Sequence, residues 1–272
     1  MDNESFERLS RFVTREYGLK LPLTKKPMLE SRLNKKVKSL GATSYSEFLD
    51  IIFSEAGRKE HLFHVIDLIT TNKTDFFREA GHFRFLSEEF LPDYVARRNS
   101  GNLKIWSAGC STGEEPYTIV MMLEELKKRL STISYNILAS DVSLRALQAA
   151  YQGIYDLSRI DPVPIDMKRS YFLRSKTDPR VVRIKPMYRR SVQFRRINLM
   201  DDDFGLVRDD LDLIFCRNVL IYFDKETQTQ VIKKFCRHLK SGGLLFLGHS
   251  ESMVGMNLPL KQVRPTVYQY NG

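Results

Sequence analysis

Apolar residues follow two different spacings along this chain of 272 residues. From Glu4 to about Leu68 they recur at the spacing of amphipathic helices, and this pattern continues through residues 83–98. Beyond residue 103, short apolar runs alternate with helical patterns. We therefore predict a small N-terminal all-helical domain with its linker over residues 1–75, followed by an α/β domain over residues 76–272.

The alternation in the second part indicates a doubly wound, Rossmann-like parallel sheet. The predicted elements are strand 103–109, helix 114–130, strand 135–141, helix 143–151, strand 212–218, helix 225–240, strand 242–250 and an antiparallel last strand 261–270. Between them, residues 180–199 are typical of a basic hairpin. We expect this hairpin to form part of an antiparallel β-subdomain inserted at residues 168–197.

Composition indicates a folded protein that does not insert into a membrane. Hydrophobic residues make up 42% of the chain, and no apolar stretch approaches the roughly 18 residues of a membrane span. The polar start MDNESFERLSR lacks the apolar segment of a signal peptide. The three cysteines form no CxxC pair, which favours free thiols in a reducing compartment. We expect a cytoplasmic protein.

The net charge of +10 is concentrated in two places. Between Lys168 and Arg196, eleven Lys and Arg residues stand against one acid, Asp178. A smaller basic cluster in the helical domain includes Arg32, Lys35 and Lys36. Basic surfaces attract acidic proteins and nucleic acids alike, so the charge alone leaves both kinds of partner open.

The segment IWSAGCSTGEEPYTIVM, residues 105–121, has the strand, turn and helix pattern of a nucleotide-binding loop. Gly109 and Gly113 lack the spacing of a dinucleotide fingerprint, and the lysine of a P-loop is missing. Glu114 and Glu115, at the predicted helix start, would repel a pyrophosphate and attract an ammonium. S-adenosylmethionine carries an ammonium and a sulfonium and fits this pattern. The alternative is that both carboxylates only stabilise the dipole of their own helix.

Asp141 ends the next predicted strand, NILASD. In a doubly wound fold an acid at this position can accept hydrogen bonds from both hydroxyls of an adenosine ribose. The same residue could instead cap the helix that follows, and the two roles are compatible.

Five motifs in this order resemble the CheR-type chemotaxis receptor methyltransferases: ITTNKTDFFRE, WSAGCSTGEEPYTI, ASDVSLRAL with GIYD, FCRNVLIYFD and GLLFLGHSES. The resemblance covers nearly the whole chain. It implies the S-adenosylmethionine-dependent methyltransferase fold. It also implies transfer of the cofactor's methyl group to glutamate side chains on the cytoplasmic helices of bacterial chemoreceptors. The products would be γ-glutamyl methyl esters and S-adenosylhomocysteine.

The resemblance further implies roles for individual residues. It places Arg78 and Tyr222 at the reacting centre, where Arg78 would clamp the acceptor carboxylate through two hydrogen bonds. Ala108 and Glu114 would hold the methionyl part of the cofactor, and Asp141 the ribose. The remaining cofactor contacts would come from Asn72, Thr74, Arg78, Asn198, Leu199, Arg217 and Asn218.

Each of these residues has a simpler interpretation. Asn72 and Thr74 are also typical of turns and caps, Arg217 of a solvated strand end, and Tyr222 of a half-buried aromatic. If the family resemblance is set aside, the residues alone favour these simpler interpretations.

The predicted partner is the glutamate-rich helical bundle of a chemoreceptor, bound by a monomeric enzyme. The basic helix face at Arg32, Lys35 and Lys36 would dock the bundle, and the basic β-subdomain would make a second contact. Some relatives bind a C-terminal receptor peptide with this subdomain. Whether this chain does so stays open, because its predicted turn SKTDPR is not glycine-rich.

The implied reaction needs neither a general base nor a metal. A glutamate carboxylate is ionised near neutral pH, so the transfer depends on alignment and a dry approach. In the sequence, none of the five histidines is recognised as part of a ligand-spaced pair with a nearby acid. We therefore expect no metal.

Two other functions are alternatives to this one. A nucleic-acid methyltransferase would fit the charge, but the strand end CRNVLIYF carries neither an acid or amide followed by Pro-Pro-aromatic nor a Pro-Cys pair. We therefore expect no nucleic-acid partner. A non-catalytic S-adenosylmethionine-binding signalling module stays open, because binding and chemistry would share residues.

Overall fold

The computed structural model describes residues 1–98, 101–205, 207 and 210–272. Its amino-terminal part is all-helical, as predicted. The five helices are α1 (Asn3–Tyr17), α2 (Lys26–Ser39), α3 (Tyr45–Phe53), α4 (Glu55–Glu60) and α5 (Leu62–Ile69). Side chains of Asp2, Ser44 and Ser54 cap the starts of α1, α3 and α4 by accepting hydrogen bonds from backbone N–H groups. The apolar faces of the helices meet in one core.

A helical segment leads from this domain to the sheet. It consists of α6 (Ala80–Arg84), a π-helical turn (Phe85–Phe90) and α7 (Leu91–Arg98). Buried side chains of this segment, Phe83, Leu86 and Leu91, pack on the α/β core. None of the helices within the described ranges combines the length and the hydropathy that a membrane span requires.

The main sheet has seven strands in the order β6-β2-β1-β7-β8-β10-β9. They are β1 (Gly101–Ala108), β2 (Ile133–Asp141), β6 (Val192–Arg196), β7 (Leu211–Cys216), β8 (Leu239–Leu247), β9 (Leu260–Arg264) and β10 (Val267–Tyr270). The first five in spatial order are parallel, and β10 runs antiparallel to β8. The predicted doubly wound α/β fold is therefore confirmed.

Helices cover both faces of this sheet. The remaining helices are α8 (Glu114–Lys127), α9 (Leu144–Gln152), α10 (Ile165–Tyr171), α11 (Pro186–Arg189) and α12 (Lys225–His238). Alternate residues of β1 enter opposite cores, since Ile105 packs with the α8 side and Trp106 with the α12 side. Neighbouring strands β1 and β7 thus send their helices to opposite faces, and ligands bind at such a switch point.

The predicted basic hairpin at residues 180–199 is wrong. Its two strands lie in different sheets: β6 pairs with β2 in the main sheet, and β5 (Val181–Ile184) lies between β3 (Ile154–Asp156) and β4 (Phe172–Arg174). The reason is the short helix α11, which starts at Pro186 and separates the two strands. An inserted antiparallel sheet does exist, but β3 and β4 are its outer strands.

The predicted last strand is also corrected. Residues 260–270 form two antiparallel strands, β9 and β10, joined by a turn in which Thr266 has a φ of 56°. The sequence contains the signal in Pro265, because proline favours a turn and has no N–H for a central ladder position.

The helical domain is fastened to the sheet domain next to the carboxyl ends of the strands. The Lys20 backbone N–H donates to the Tyr222 carbonyl at 2.9 Å, and the Asn198 side-chain amide donates to the Glu16 carbonyl at 2.7 Å. Gly18, with a φ of 70°, ends α1 so close to Phe223 that an added Cβ would lie 2.8 Å from its ring. These contacts fix the position of the helical domain beside the cleft.

Gly18→Ala should destabilise the protein more than Gly41→Ala. Both glycines have a φ near 70°, but a Cβ at Gly41 would meet nothing within 4 Å. We expect Gly41→Ala to lower the free energy of unfolding by about 1 kcal/mol through backbone strain alone. Gly18→Ala adds a clash, and we expect a loss of about 2–4 kcal/mol. Urea unfolding measures the loss of stability in each variant. Equal losses would mean that the contact of the added Cβ with Phe223 does not destabilise the Gly18 variant.

Candidate active site

One large cleft lies between the helical domain and the carboxyl ends of β1, β2 and β7. The structure brings most of the predicted site residues to its wall, although they come from distant parts of the sequence. These residues are Asn72, Thr74, Arg78, Asp141, Asn198, Leu199, Arg217, Asn218 and Tyr222. Ala108 and Glu114 are buried behind the wall.

Asp141 is fixed at the end of β2 by backbone groups on both sides. Its Oδ2 accepts from the Ser111 N–H at 2.8 Å, and its Oδ1 accepts from the Ser143 N–H at 2.9 Å. The cap of α9 is Ser143, whose side chain accepts from Ala146 N–H. Burial raises the pKa of Asp141, and these backbone N–H groups only partly oppose it. A held carboxylate that faces the cleft suits hydroxyl donors such as those of a ribose.

The structure does not bring the Glu114 carboxylate into the cleft. Its Oε1 accepts from Arg159 Nη2 at 2.6 Å, and its Oε2 accepts from Thr112 Oγ1 at 2.6 Å. Arg159 also donates to the Thr74 carbonyl and pairs with Asp75 at 3.3 Å. Glu114 therefore anchors the linker that carries Asn72 and Thr74 to the start of α8.

The acid that faces the cleft from the start of α8 is Glu115. Its Oε1 accepts from Ser107 Oγ at 2.6 Å, and its Oε2 pairs with Arg217 Nη1 at 3.3 Å. Burial raises the pKa of Glu115, against the lowering effects of Arg217 and Ser107. Both glutamates at the helix start were singled out from the sequence; in the structure Glu115 lines the cleft and the Glu114 carboxylate is paired with Arg159, while the ligand role expected for Glu114 stays a prediction.

Arg217 is held between two carboxylates and is not a solvated strand-end charge. Its side chain is 2% exposed, pairs with Glu79 at 3.1 Å and with Glu115 at 3.3 Å, and lies over the Phe83 ring at 5.3 Å. Burial would raise the pKa of Glu79, but the His249 backbone N–H and the Arg217 charge outweigh it and leave that pKa lowered. Two carboxylates and one guanidinium leave a net negative charge at the cleft floor.

The sequence analysis missed a cluster beside this ion pair. His82 Nδ1 lies 3.6 Å and His249 Nε2 lies 4.0 Å from Glu79 Oε2. Burial and the nearby Arg217 charge lower the pKa of His82 to about 4, so the ring is neutral. The i,i+3 spacing of Glu79 and His82 was the available signal. Arg217 occupies the same Glu79 oxygen and would repel a divalent cation there. The expected absence of a metal stays a prediction.

Arg78 and Tyr222 both line the cleft. The Arg78 Nη1 donates to the Lys73 carbonyl at 3.2 Å. Burial raises the pKa of Tyr222, and the Arg78 charge opposes this rise, which places the two groups in one electrostatic environment. Glu251, which sequence reasoning did not single out, holds the preceding turn by accepting from the N–H groups of Asn218 at 3.0 Å and Ile221 at 3.2 Å.

The segment with Asn198 and Leu199 is also held by a residue that the sequence analysis missed. The Lys234 ammonium, on α12, donates to the carbonyls of Leu199 at 3.4 Å, Met200 at 3.1 Å and Asp201 at 2.7 Å. One cation thus neutralises three carbonyl dipoles and fixes this side of the cleft.

The predicted docking residues differ in their surroundings. Lys35 is exposed and Lys36 is partly exposed on α2. Arg32 instead turns toward the end of α5, where its Nη1 donates to the carbonyls of Leu68 at 3.2 Å, Ile69 at 3.4 Å and Thr70 at 3.1 Å. Arg32 is therefore a C-terminal cap of α5 more than a free surface charge.

The chain matches two neighbouring sequence families. Residues 4–70 match the CheR methyltransferase all-alpha domain, and residues 72–269 match the CheR methyltransferase SAM binding domain. The held acids Asp141 and Glu115 fit the hydroxyls and the ammonium of that cofactor.

Whole-chain relatives agree. The chain is 38% identical to a chemotaxis protein methyltransferase of Borreliella burgdorferi, over 98% of this chain and 94% of the relative. It is 37% identical to chemotaxis protein methyltransferase 2 of Pseudomonas aeruginosa, over 97% and 92% of the two chains. A third relative, from Salmonella typhimurium, is 34% identical over 98% and 90%. The chain therefore belongs to the CheR methyltransferase family and is an S-adenosylmethionine-dependent methyltransferase of chemotaxis.

Proposed function

We propose that this enzyme methylates glutamate side chains of bacterial chemoreceptors and forms γ-glutamyl methyl esters. The observation that carries the proposal is the separation of charge across the cleft. The mostly buried acids Glu115 and Asp141 lie at its floor. Exposed or partly exposed cations surround its opening, namely Lys20, Lys25, Lys73 and Arg78. This arrangement suits a cationic cofactor inside and an anionic acceptor outside.

The acids at the cleft floor support the following proposal for the cofactor contacts. Glu115, in place of Glu114, would pair with the ammonium, and Asp141 would accept from the ribose hydroxyls. Asn72, Asn198, Leu199 and Asn218 would line the remaining edges, while Ala108, buried at the end of β1, supports the loop from beneath. When bound, the cofactor supplies an electrophilic methyl group on a sulfonium.

The protein's own chemical task is alignment. The acceptor carboxylate is already ionised, so no side chain has to remove a proton. Arg78 would bind the acceptor carboxylate at the cleft opening. Tyr222 would align this carboxylate with the methyl group of the cofactor. A bound cofactor and acceptor would have to displace water from this approach, because a less solvated carboxylate is the better nucleophile.

The docking surface is proposed at Lys35 and Lys36 on α2. Arg32 has a structural role instead, since it bonds to a carbonyl at the end of α5. The glutamate-rich receptor bundle offers complementary charge. Binding of a receptor C-terminal peptide to the small sheet β3-β5-β4 remains a proposal of the same kind. A monomer and a cytoplasmic location are inferred with it.

The direct test is turnover on chemoreceptor fragments. We expect methyl transfer to glutamates, detected by mass spectrometry and by base-labile release of methanol. Duplex DNA and RNA should accept no methyl group. Cofactor binding without transfer to any receptor fragment would favour a non-catalytic module, and transfer to nucleic acid would favour the other alternative.

Replacing Arg78 or Tyr222 should reduce turnover far more than product binding. If they act on the carboxylate and the methyl group, Arg78→Ala and Tyr222→Phe remove interactions needed mainly in the transition state. We expect kcat to fall about 100-fold or more and the Kd of S-adenosylhomocysteine to change less than about threefold. Single-turnover assays and calorimetry measure the two quantities. Equal losses in both would make these residues cofactor ligands only.

Glu115→Gln should weaken S-adenosylhomocysteine binding by about 1.5–3 kcal/mol, because it removes the charged partner of the ammonium. Glu114→Gln is the matched control, since that side chain pairs with Arg159 behind the wall. We expect it to lower the free energy of unfolding and to change affinity less. Calorimetry of both variants decides the assignment, and a larger affinity loss for Glu114→Gln would return the ligand role to Glu114.

Cofactor affinity should fall as the pH is lowered. Burial raises the pKa of both Glu115 and Asp141 in the folded protein. The ammonium binds the ionised acids, so full affinity is present above these raised pKa values and is lost as the pH falls through them. Calorimetry in buffers of different ionisation enthalpy should detect proton release on binding that grows as the pH is lowered toward these raised pKa values. Glu115→Gln should release fewer protons, and identical release in the variant would contradict the role of Glu115.

A further inference from the structure

Lys25 differs from the other cations named at the cleft opening in its contact with Tyr222. Lys25 ends a 3-10 turn (Leu23–Lys25) of the helical domain, lines the cleft and is partly buried. Its Nζ lies over the Tyr222 ring, 5.4 Å from the ring centroid. The Lys25 ammonium therefore lies next to Tyr222, the residue proposed at the reacting centre.

The position of Lys25 is set by its own chain segment. Ser10 Oγ donates to the Leu21 carbonyl at 3.2 Å, and Lys25 N–H donates to the Pro22 carbonyl at 2.8 Å. Upstream in the same segment, the Lys20 N–H is bonded to the Tyr222 carbonyl. Lys25 thus belongs to a segment that is hydrogen-bonded to the backbone of Tyr222. This bond fixes the position of Lys25 relative to the Tyr222 ring.

The electrostatic surroundings of Lys25 differ from those of Arg217 and Lys20 in the same cleft. Arg217 is neutralised by Glu79 and Glu115. Lys20 is exposed, and its charge acts on Asp224. In the part of the chain that the structure describes, Lys25 makes no ion pair, and the ring contact with Tyr222 leaves ammonium N–H donors free.

We propose that Lys25 is a second cationic ligand of the acceptor carboxylate and, together with Arg78, selects an anionic side chain. This inference rests on the proposed function of glutamate methylation. An ammonium without a carboxylate partner, carried by a partly buried residue that lines the cleft, fits an incoming carboxylate. An ammonium is a point charge and leaves the carboxylate oxygen free to turn toward the methyl group, whereas guanidinium fixes two oxygens.

Lys25 binds the acceptor in the ground state and the transition state alike, so its loss should appear mainly in KM. We expect Lys25→Gln to raise the KM for a receptor fragment about 5- to 50-fold and to change kcat less than about threefold. Lys25→Met keeps the packing on the Tyr222 ring without the charge and should behave like Lys25→Gln. Lys25→Arg should retain most of the affinity.

The control is Lys26→Gln. The Lys26 ammonium bonds to Asn3 Oδ1 at 2.8 Å, outside the lining of the cleft. Adjacent lysines change the net charge equally, so a general effect of charge would appear in both variants. The Kd of S-adenosylhomocysteine is measured for each, and Lys25→Gln should leave it unchanged.

Wild-type enzyme is assayed first, because absence of receptor methylation there would refute the proposed function and not the role of Lys25. With wild-type turnover established, a KM increase in Lys25→Gln and Lys25→Met that Lys26→Gln lacks supports the proposal. An unchanged KM in Lys25→Gln overturns it. An equal KM increase in Lys26→Gln, or a matching loss of S-adenosylhomocysteine affinity in Lys25→Gln, overturns it as well.

Discussion

The buried guanidinium of Arg217 connects the three segments that form the floor of the active site. It extends from the end of β7, pairs with Glu79 of the linker and with Glu115 at the start of α8, and donates to the Arg78 carbonyl. A buried charge that loses one partner costs about 3–5 kcal/mol, so each segment constrains the other two. The spacing between linker, loop and helix start depends on this arrangement.

The distribution of charge in the cleft also bears on substrate binding and product release in the proposed reaction. The floor keeps an excess negative charge, and the opening keeps an excess positive charge. A bound cofactor would supply a methyl group on a sulfonium, and in the proposed transfer the acceptor carboxylate would become a neutral ester. The attraction of Arg78 and Lys25 for the acceptor then disappears. Product release follows from the same charges that recruit the substrates.

The sequence predicted those parts of the molecule that depend on local periodicity. The alternation of apolar runs and helical patterns predicted β1, β2, β7 and β8, and Asp141 was identified at the end of a predicted strand. Both predictions succeed because they depend only on residues that are close in sequence. Glu114 and Glu115 are adjacent on one helix turn, and only the packing of Arg159 and Arg217 decides which of them faces the cleft. The pairing of β5 and β6 in different sheets likewise depends on distant strands, which composition and charge do not encode.

The helical domain is part of the active site as well as its proposed docking platform. Arg32, on the same helix as Lys35 and Lys36, bonds to the carbonyls at the end of α5, and α5 leads directly into the linker with Asn72, Thr74 and Arg78. A receptor that binds the exposed lysines therefore contacts a helix whose inner side holds the linker in place. Because Lys20 is bonded to the Tyr222 turn, displacement of the domain would widen the cleft and separate Arg78 from Tyr222. In the proposed function, docking and alignment thus depend on the same domain, because α2 holds the linker and the Lys20 N–H holds the Tyr222 carbonyl.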